Sequence, residues 1–366
     1  MSITLGMPTI PIRGTTVTSG QPQASDRPAV PGLLDRFGRT ATDLRISLTD
    51  KCNLRCTYCM PAEGLPFLAG PKLLTREEIA RLARIAVHEL GVRQIRFTGG
   101  EPLLRKDLVE IIEDCAALEP RPEISLTTNA IGLKSRAEAL AAAGLDRVNV
   151  SLDSICAETF ATITRRPFLN RVLEGIDELR TVGLERTKIN AVLMPGINDD
   201  QGVELLEWAL AGGHQLRFIE QMPLDADHTW TRDGMITAAQ IREKLEARYV
   251  LTPDEAPRDG APAELYQVRE KSDPTGELLG MVGIIASVTE NFCDDCRRTR
   301  ITAEGGVRSC LFSEGETDLL ALLRGGATDE EIADLWRAAM WAKPSGHGIN
   351  ASGFEQPARS MSAIGG

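Results

Sequence analysis

The chain has 366 residues, a formal net charge of −11 at pH 7 and 42% hydrophobic residues. This length and composition are typical of a globular protein with one or two domains. The acidic balance argues against binding to nucleic acids or anionic membranes, because both require a basic face. No apolar run approaches the ~18 residues that span a bilayer, and the N-terminus lacks the apolar core of a secretory signal. We therefore expect a cytoplasmic protein.

The first segment of the chain has the composition of an irregular region. Residues 1–33 are rich in Pro, Thr, Ser and Gly and show neither helical nor alternating periodicity. The segment is acid-poor and contains some Arg, as organellar transit peptides do, but it has no amphipathic stripe. Up to the first predicted strand, the sequence thus predicts a disordered N-terminal arm over residues 1–42.

Strand-like and helix-like patterns then alternate. The clearest helix starts at Thr75 with a capping box to Glu78. Such alternation predicts a parallel sheet with right-handed crossovers. Eight units close a barrel in about 250 residues, so six units predict an α/β fold with a partial (βα)6 TIM-type barrel over residues 43–224. The six predicted strands are 43–49, 92–98, 123–129, 147–153, 186–194 and 215–221.

The pattern changes after residue 224. One helix over 237–248, four short strands and two further helices predict a second, smaller C-terminal module over residues 225–345. The Gly/Ser-rich end, SMSAIGG, predicts a flexible tail over 346–366. In a barrel, we expect the chemistry on loops that follow the C-terminal ends of the strands.

Six of the eight cysteines form two triads. A reducing compartment makes clustered thiols metal ligands more often than disulfides. A structural zinc site requires four ligands, and neither triad has a histidine at finger-like spacing, His228 and His347 being nearest to the second. Three cysteines can hold a four-iron cluster with one iron open to an exogenous ligand. We predict two [4Fe-4S] clusters, with zinc as the alternative; the ligands are Cys52, Cys56 and Cys59, and Cys293, Cys296 and Cys310.

The first triad has the spacing C-x3-C-x2-C, is followed by Met-Pro, and comes directly after the first strand. It resembles the cluster signature of radical S-adenosylmethionine (SAM) enzymes, and GGEPLLR at 99–105 matches that family's cofactor-amine motif. The resemblance implies that the open iron chelates the methionine moiety of SAM and that an electron from the cluster cleaves it to a 5′-deoxyadenosyl radical. It makes the first triad catalytic, and it implies cofactor contacts at Tyr58, Gly100, Glu101, Ser151 and Met222.

The second triad indicates which family of radical SAM enzymes the chain resembles. Its spacing C-x2-C-x13-C, the adjoining RRTR and the terminal Gly-Gly resemble the GTP 3′,8-cyclase family from about residue 43 to the end. That family implies a lyase that converts GTP to (8S)-3′,8-cyclo-7,8-dihydroguanosine 5′-triphosphate, the first step of molybdenum cofactor biosynthesis, with guanine bound at the second cluster. It also implies a reducing electron donor and the downstream cyclic pyranopterin monophosphate synthase as partners, and it leaves a homodimer open.

An acidic protein must assemble cations locally to receive a triphosphate. Arg45 and Arg96 lie within apolar strands, where an unpaired cation is costly, so we expect a bound anion or a carboxylate beside them. Arg298 and Arg300 alternate along one strand and therefore project to one face. The family pattern makes these four arginines substrate ligands together with Thr127, Lys188 and Thr299. It also makes Arg298, Arg300 and the terminal Gly365 and Gly366 catalytic.

One motif departs from the family, and two other functions fit parts of the pattern. The usual TTNG reads TTNA, with Ala130 where glycine tolerates positive φ, which puts the geometry of this loop in question. A radical SAM peptide-modifying enzyme also carries an auxiliary cluster, but RRTR and the Gly-Gly end argue against it. A non-catalytic two-cluster electron carrier would leave GGEP and six βα units unexplained.

Overall fold

The computed structural model describes residues 26–185 and 187–365. Most of the predicted arm and Gly366 therefore lie outside the described residues. The strands in these ranges are β1 Leu33–Leu34, β2 Thr40–Ala41, β3 Asp43–Ser47, β4 Gln94–Thr98, β5 Glu123–Thr128, β6 Arg147–Ser151, β7 Lys188–Ala191, β8 Gln215–Ile219, β9 Tyr249–Pro253, β10 Glu264–Glu270, β11 Gly280–Ile285, β12 Arg298–Ile301, β13 Gly306–Arg308 and β14 Thr317–Asp318.

Two helices in the same ranges were not predicted from the sequence, α4 (Ala157–Thr164) and α10 (Met361–Ile364). None of the described helices is both long and apolar enough to cross a membrane. They are α1 Arg76–His88, α2 Leu108–Ala116, α3 Ala137–Ala142, α4 Ala157–Thr164, α5 Leu169–Thr181, α6 Gly202–Ala211, α7 Ala238–Glu246, α8 Leu320–Arg324, α9 Asp329–Trp341 and α10 Met361–Ile364.

The predicted parallel sheet is confirmed. Strands β3 to β8 pair in parallel in chain order. Two strands from the C-terminal part extend this arrangement, since β12 pairs in parallel with β3 and β11 pairs in parallel with β8. Over the described residues, a single 12-stranded sheet results, with the order β14-β13-β12-β3-β4-β5-β6-β7-β8-β11-β10-β9. The C-terminal part therefore flanks the barrel sheet on both sides, which the chain order did not predict.

Alternation along the parallel strands separates apolar from charged side chains. Ile46 on β3 and Phe97 on β4 are fully buried in the main hydrophobic core. Arg45 and Arg96 alternate with them and so lie on the opposite face of the sheet. The sheet thus has an apolar face within the core and a polar face on its other side.

The predicted start of α1 is also confirmed. Thr75 Oγ1 accepts a hydrogen bond from the Glu78 backbone N–H at 3.2 Å, and a Glu78 carboxylate oxygen accepts from the Thr75 N–H at 2.8 Å. This reciprocal pair satisfies two backbone donors that a helix start otherwise leaves unpaired. A short local pattern was therefore sufficient to locate this boundary.

The prediction of a disordered arm is wrong for its last residues. Strands β1 and β2 pair antiparallel, and Leu33 and Ala41 are buried. Arg39 is 9% exposed; it pairs with Asp35 at 2.5 Å and donates to the carbonyl of Cys293 at 2.7 Å. Two-residue strands are too short to show periodicity, and tertiary contacts with the C-terminal part stabilise them.

The prediction of a flexible tail is wrong over residues 346–365. Ser362 and Ile364 are buried in α10, and the Met361 N–H donates to the Leu224 carbonyl at 3.0 Å. Arg359 forms an ion pair with Glu304 at 2.6 Å. The Gly/Ser-rich composition indicated flexibility, but these contacts hold the tail against the barrel.

The loop after β5 adopts the backbone that the family's usual glycine favours. Ala130 has φ 63° and is fully buried. Gly175 of α5 packs on it so closely that an added Cβ would lie 2.6 Å from the Ala130 carbonyl oxygen. Helix α5 can therefore reach this loop only through a residue without a side chain.

We expect Gly175→Ala to lower the free energy of unfolding by about 1–2 kcal/mol. Over-packing against a backbone oxygen should cost the upper part of about 1–3 kcal/mol, and the helix propensity of alanine offsets about 1 kcal/mol. Urea denaturation followed by circular dichroism measures this. Gly315→Ala is the control, because nothing lies within 4 Å of its added Cβ. Equal stability of the Gly175→Ala variant and the parent would contradict the close packing.

Candidate active site

One cavity of about 340 Å³ contains both cysteine triads. The loops after β3, β4 and β5 and the ends of β6 and β8 contribute to it, as expected for the C-terminal edge of parallel strands. Most of the residues predicted from the sequence line this cavity, namely Arg45, Cys52, Cys56, Tyr58, Cys59, Arg96, Gly100, Glu101, Thr127, Ser151, Met222, Cys293, Cys296, Arg298, Arg300 and Cys310.

The first triad lies in a tightly turned loop after β3. The N–H groups of Cys59 and Met60 both donate to the Cys56 carbonyl at 3.0 Å. Burial raises the pKa of Cys52 to about 11 and that of Cys59 to about 12, although Ser362 donates hydrogen bonds to the Cys59 sulfur. Thiolates in this loop therefore need cations, which the irons of a cluster would supply.

The GGEP loop after β4 lies directly on the first cysteine loop. The Gly100 N–H donates to the Thr49 carbonyl at 2.6 Å, and the Glu101 N–H donates to the Lys51 carbonyl at 2.7 Å. A Cβ on Gly100 would lie 2.3 Å from the Lys51 carbonyl oxygen. Glycine is thus required here because two backbones meet.

The Glu101 side chain joins two of these loops. It is 1% exposed and accepts hydrogen bonds from the Leu103 N–H at 2.9 Å and from the Thr128 hydroxyl and the Asn129 N–H at 2.7 Å each. Burial nevertheless raises its pKa to about 7. Its oxygens are engaged within the protein, so it holds the GGEP loop against the end of β5; its contact with a cofactor stays a prediction.

Tyr58 is held by a buried carboxylate. Its hydroxyl donates to Asp153 at 2.8 Å, and the Val192 N–H donates to the other oxygen of Asp153 at 2.8 Å. Burial raises the pKa of Asp153 to about 6. Ser151 and Met222 line the same cavity.

Two cysteines of the second triad, Cys293 and Cys296, lie in the turn before β12. The third, Cys310, lies two residues after the end of β13. The Cys296 N–H donates to the Cys293 carbonyl at 3.1 Å. The Lys343 ammonium lies 3.2 Å from the Cys296 sulfur. Burial by itself would raise the pKa of Cys296, but Arg298 and Lys343 outweigh it and lower the pKa to about 6. This thiolate therefore forms readily, as a metal ligand must.

Within the described parts of the chain, no three or more His, Cys, Asp or Glu side chains lie close enough to share one metal ion. A four-iron cluster does not need such a shared position, because each cysteine ligates a different iron. Three soft thiolates in each triad therefore fit iron-sulfur chemistry.

Arginines line the cavity beside the triads. Burial and the nearby Arg300 and Arg96 lower the pKa of Arg45, whose buried Nε has no hydrogen-bond partner among the described residues. Burial and Arg298 lower the pKa of Arg300 to about 10. The Asp43 carboxylate lies among these cations; burial by itself would raise its pKa, but Arg96, Arg45, Arg298 and Arg300 outweigh burial and lower the pKa. One carboxylate offsets only part of the charge of four cations, so this wall fits a polyphosphate.

The C-terminal end of the chain reaches the first triad and one of the cavity arginines. The Gly365 carbonyl accepts a hydrogen bond from Arg300 at 3.5 Å, and Ser362 donates to Cys59. Gly365 has φ 82°, and an added Cβ would lie 2.7 Å from the Cβ of Ser47. Only glycine fits this position without strain.

Comparisons with known proteins decide the family. The Radical SAM superfamily profile matches residues 46–209, and the Molybdenum Cofactor Synthesis C profile matches residues 214–349. The GTP 3′,8-cyclase of Paenarthrobacter nicotinovorans is 58% identical over 94% of this chain and 100% of its own length. That of Mycolicibacterium smegmatis is 58% identical over 100% of both chains. The chain belongs to the GTP 3′,8-cyclase family of radical SAM enzymes.

Membership in this family confirms the resemblance, and with it one [4Fe-4S] cluster and SAM as cofactors. Solved structures add evidence on the fold alone. Streptococcus suis SuiB bound to SAM matches with a TM-score of 0.56 at 16% identity, over 85% of this chain and 66% of that chain. SuiB bound to the precursor peptide SuiA matches with a TM-score of 0.57 at 18% identity, over 85% and 67%.

Sequence reasoning missed one cation in the cavity of this family member. Arg217 on β8 is 5% exposed and donates to Asn190 at 2.9 Å and to Asn149 at 2.8 Å. Burial, Arg96 and Arg147 lower its pKa to about 9. The signal was present, because QLRFI alternates as DLRIS and QIRFT do.

Two predicted substrate contacts do not line the cavity. The prediction is wrong for the side chain of Thr299, which is fully buried and accepts a hydrogen bond from the Trp336 indole at 2.9 Å. Alternation places it on the face of β12 opposite to Arg298 and Arg300. Lys188 lies two residues before Asn190, which does line the cavity, so both share one face of β7; its contact with substrate stays a prediction.

Proposed function

We propose that this protein converts GTP to (8S)-3′,8-cyclo-7,8-dihydroguanosine 5′-triphosphate, the first step of molybdenum cofactor biosynthesis. One observation carries the proposal: a single cavity combines both cysteine triads with a wall of buried arginines. The full-length similarity to GTP 3′,8-cyclases supports it. Residues 43–224 would cleave the cofactor and contribute arginines to the substrate site, and residues 225–345 would bind the guanine base.

The first half of the cavity binds and orients SAM. Cys52, Cys56 and Cys59 would hold the cluster, which supplies the electron for cleavage of SAM when it is bound. The GGEP backbone is locked to the cysteine loop, so the groups that meet the cofactor are positioned before it binds. Tyr58, Ser151 and Met222 provide the neighbouring wall.

The second half holds the substrate. Cys293, Cys296 and Cys310 would carry a second [4Fe-4S] cluster with one position open for guanine, and Lys343 stabilises the Cys296 thiolate. The buried arginines would neutralise the triphosphate. The tail contacts Cys59 and Arg300, where it would help to exclude water from the reacting sugar.

The proposal extends to partners outside the chain. A cluster that reduces SAM requires a reducing electron donor, and the product requires a downstream cyclic pyranopterin monophosphate synthase. Both would act in the cytoplasm, where reduced thiols persist. A homodimer remains compatible with this function.

Anaerobic reconstitution tests the function. The protein with iron, sulfide, a chemical reductant, SAM and GTP is expected to form 5′-deoxyadenosine and the cyclic nucleotide, both measured by chromatography and mass spectrometry. ATP in place of GTP is the control. Cleavage of SAM without a cyclic product from GTP would favour the peptide-modifying alternative, and absence of cleavage would favour the electron carrier.

Replacing Arg298 or Arg300 by Ala is expected to weaken GTP binding by about 10- to 150-fold, which corresponds to about 1.5–3 kcal/mol for one charge-assisted contact. SAM binding should be unchanged. Equilibrium dialysis measures both affinities. The matched control is Arg297→Ala, because Arg297 forms exposed ion pairs with Asp259 and Asp295. Parent-like GTP affinity of the double variant would remove both arginines from the substrate site.

A further inference from the structure

Lys343 lies beside the second triad, shortly after the end of α9. It is 4% exposed and is not among the described residues that line the cavity. Its ammonium donates to the Cys296 sulfur at 3.2 Å, to the Cys296 carbonyl at 3.1 Å and to the Arg298 carbonyl at 3.0 Å. Lys343 therefore holds the stretch that leads from Cys296 into β12 without lining the space that a substrate would enter.

The three hydrogen bonds of Lys343 define its charge. A lysine ammonium has three N–H donors, and the sulfur and the two carbonyls accept all three. A neutral amine has one N–H fewer and could not donate to all of these acceptors. The geometry thus requires a cation at this position, and it leaves no N–H of this cation for a ligand.

The negative charge that faces this cation is the Cys296 thiolate. A buried cation is costly unless an anion pairs with it. No carboxylate among the described residues forms an ion pair with Lys343, and the nearby Arg39 has Asp35 as its own partner at 2.5 Å. The charge of Lys343 is therefore balanced at the metal-ligand sulfur.

The first triad has a different surrounding. The Cys52 sulfur accepts hydrogen bonds from the Leu54 N–H at 3.5 Å and from the Asn129 amide at 3.9 Å, and Ser362 donates to Cys59. These donors are neutral groups. A cation such as Lys343, directly bound to a ligand sulfur, thus distinguishes the second triad from the first within the described residues.

We propose that Lys343 is a positioning residue that sets the reduction potential of the second cluster, because it holds a positive charge against the sulfur of Cys296. The proposal rests on the second [4Fe-4S] cluster of the proposed function. Reduction makes a cluster one charge more negative, and a neighbouring cation stabilises this reduced form more than the oxidised form. Charge and hydrogen bonds at the sulfurs are among the factors that determine the potential of iron-sulfur clusters. Lys343 therefore raises the potential of the second cluster.

An anaerobic redox titration of the reconstituted enzyme, followed by electron paramagnetic resonance, tests the proposal. Lys343→Met and Lys343→Gln are expected to shift the midpoint potential of the second cluster to more negative values, because both remove the charge. Gln keeps an N–H donor, so its shift should be the smaller one. The signal that SAM alters identifies the first cluster, whose potential should equal that of the parent. Lys244→Met is the control, since Lys244 on α7 pairs with Asp199 at 3.0 Å.

Iron content is measured for every variant. A parent-like potential of the second cluster in a variant that retains its iron would overturn the proposal and leave the proposed function intact. Equal shifts at both clusters would also overturn it, because the effect would then not be local to Cys296. Loss of the second cluster from both variants would give Lys343 a structural role instead. A parent enzyme that assembles one cluster only would overturn the second cluster of the proposed function itself.

Discussion

A Cys52→Ala enzyme is expected to form no 5′-deoxyadenosine and to retain the iron of one four-iron cluster. Cys52 is one of only three thiol ligands at the first triad, so its loss leaves too few for a stable cluster. The second triad should be unaffected, because its cysteines come from the turn before β12 and the residues after β13. Iron analysis and chromatography of the cleavage product measure the two effects.

Cys156→Ala is the matched control for this experiment. Cys156 precedes α4, belongs to neither triad and does not line the cavity. The control should therefore keep both clusters and cleave SAM normally. Complete loss of iron from Cys52→Ala would show that the two triads do not assemble independently, and normal cleavage of SAM would refute the assignment of the first triad.

Deletion of Gly365 and Gly366 is expected to abolish cyclisation of GTP while both clusters and SAM binding persist. Deletion removes the Gly365 carbonyl, which accepts a hydrogen bond from Arg300, one of the cavity arginines. The bond from Ser362 to Cys59 lies upstream of the deletion and should remain. Little apolar area is lost, so the melting temperature should barely change. Turnover of GTP, iron content and thermal unfolding are measured together.

A point variant tests whether turnover depends on where the tail lies, because it leaves the length of the tail unchanged. Gly365→Ala keeps every backbone group, but its Cβ would lie 2.7 Å from the Ser47 Cβ at a φ of 82°. We therefore expect it to displace the tail and to lose most of the turnover, whereas Gly315→Ala should retain it. Parent-like turnover of the truncated enzyme would make the tail dispensable, and loss of iron would give it a structural role instead.

The cysteine triads and the barrel could be predicted because their signals are local. Thiol spacing within one loop defines the first triad, and alternation within β3 and β4 places Arg45 and Arg96 on the polar face. Alternation along the strands also indicates the orientation of two further side chains, which the sequence predictions missed. It marks Arg217 as a further cation and turns Thr299 away from Arg298 and Arg300.

Other roles depend on contacts between distant segments, which no local pattern contains. GGEP matches a cofactor motif of the family, and this match could be read from the sequence. Only the structure shows that the Glu101 carboxylate accepts hydrogen bonds from residues at the end of β5. Similarly, Arg39 lies in a segment without periodicity. Its hydrogen bond to the Cys293 carbonyl, which attaches this segment to the C-terminal part, could not be predicted from the sequence.

By itself, the sequence determined the parallel βα units, the two cysteine triads and the resemblance to the family, because each is carried by residues close together in the chain. The tertiary structure alone decided that β11 and β12 flank the barrel sheet, that one cavity contains both triads, and that the tail is ordered against Cys59 and Arg300. The physical reason is that these arrangements depend on burial and on hydrogen bonds between residues far apart in sequence, such as Arg300 and Gly365.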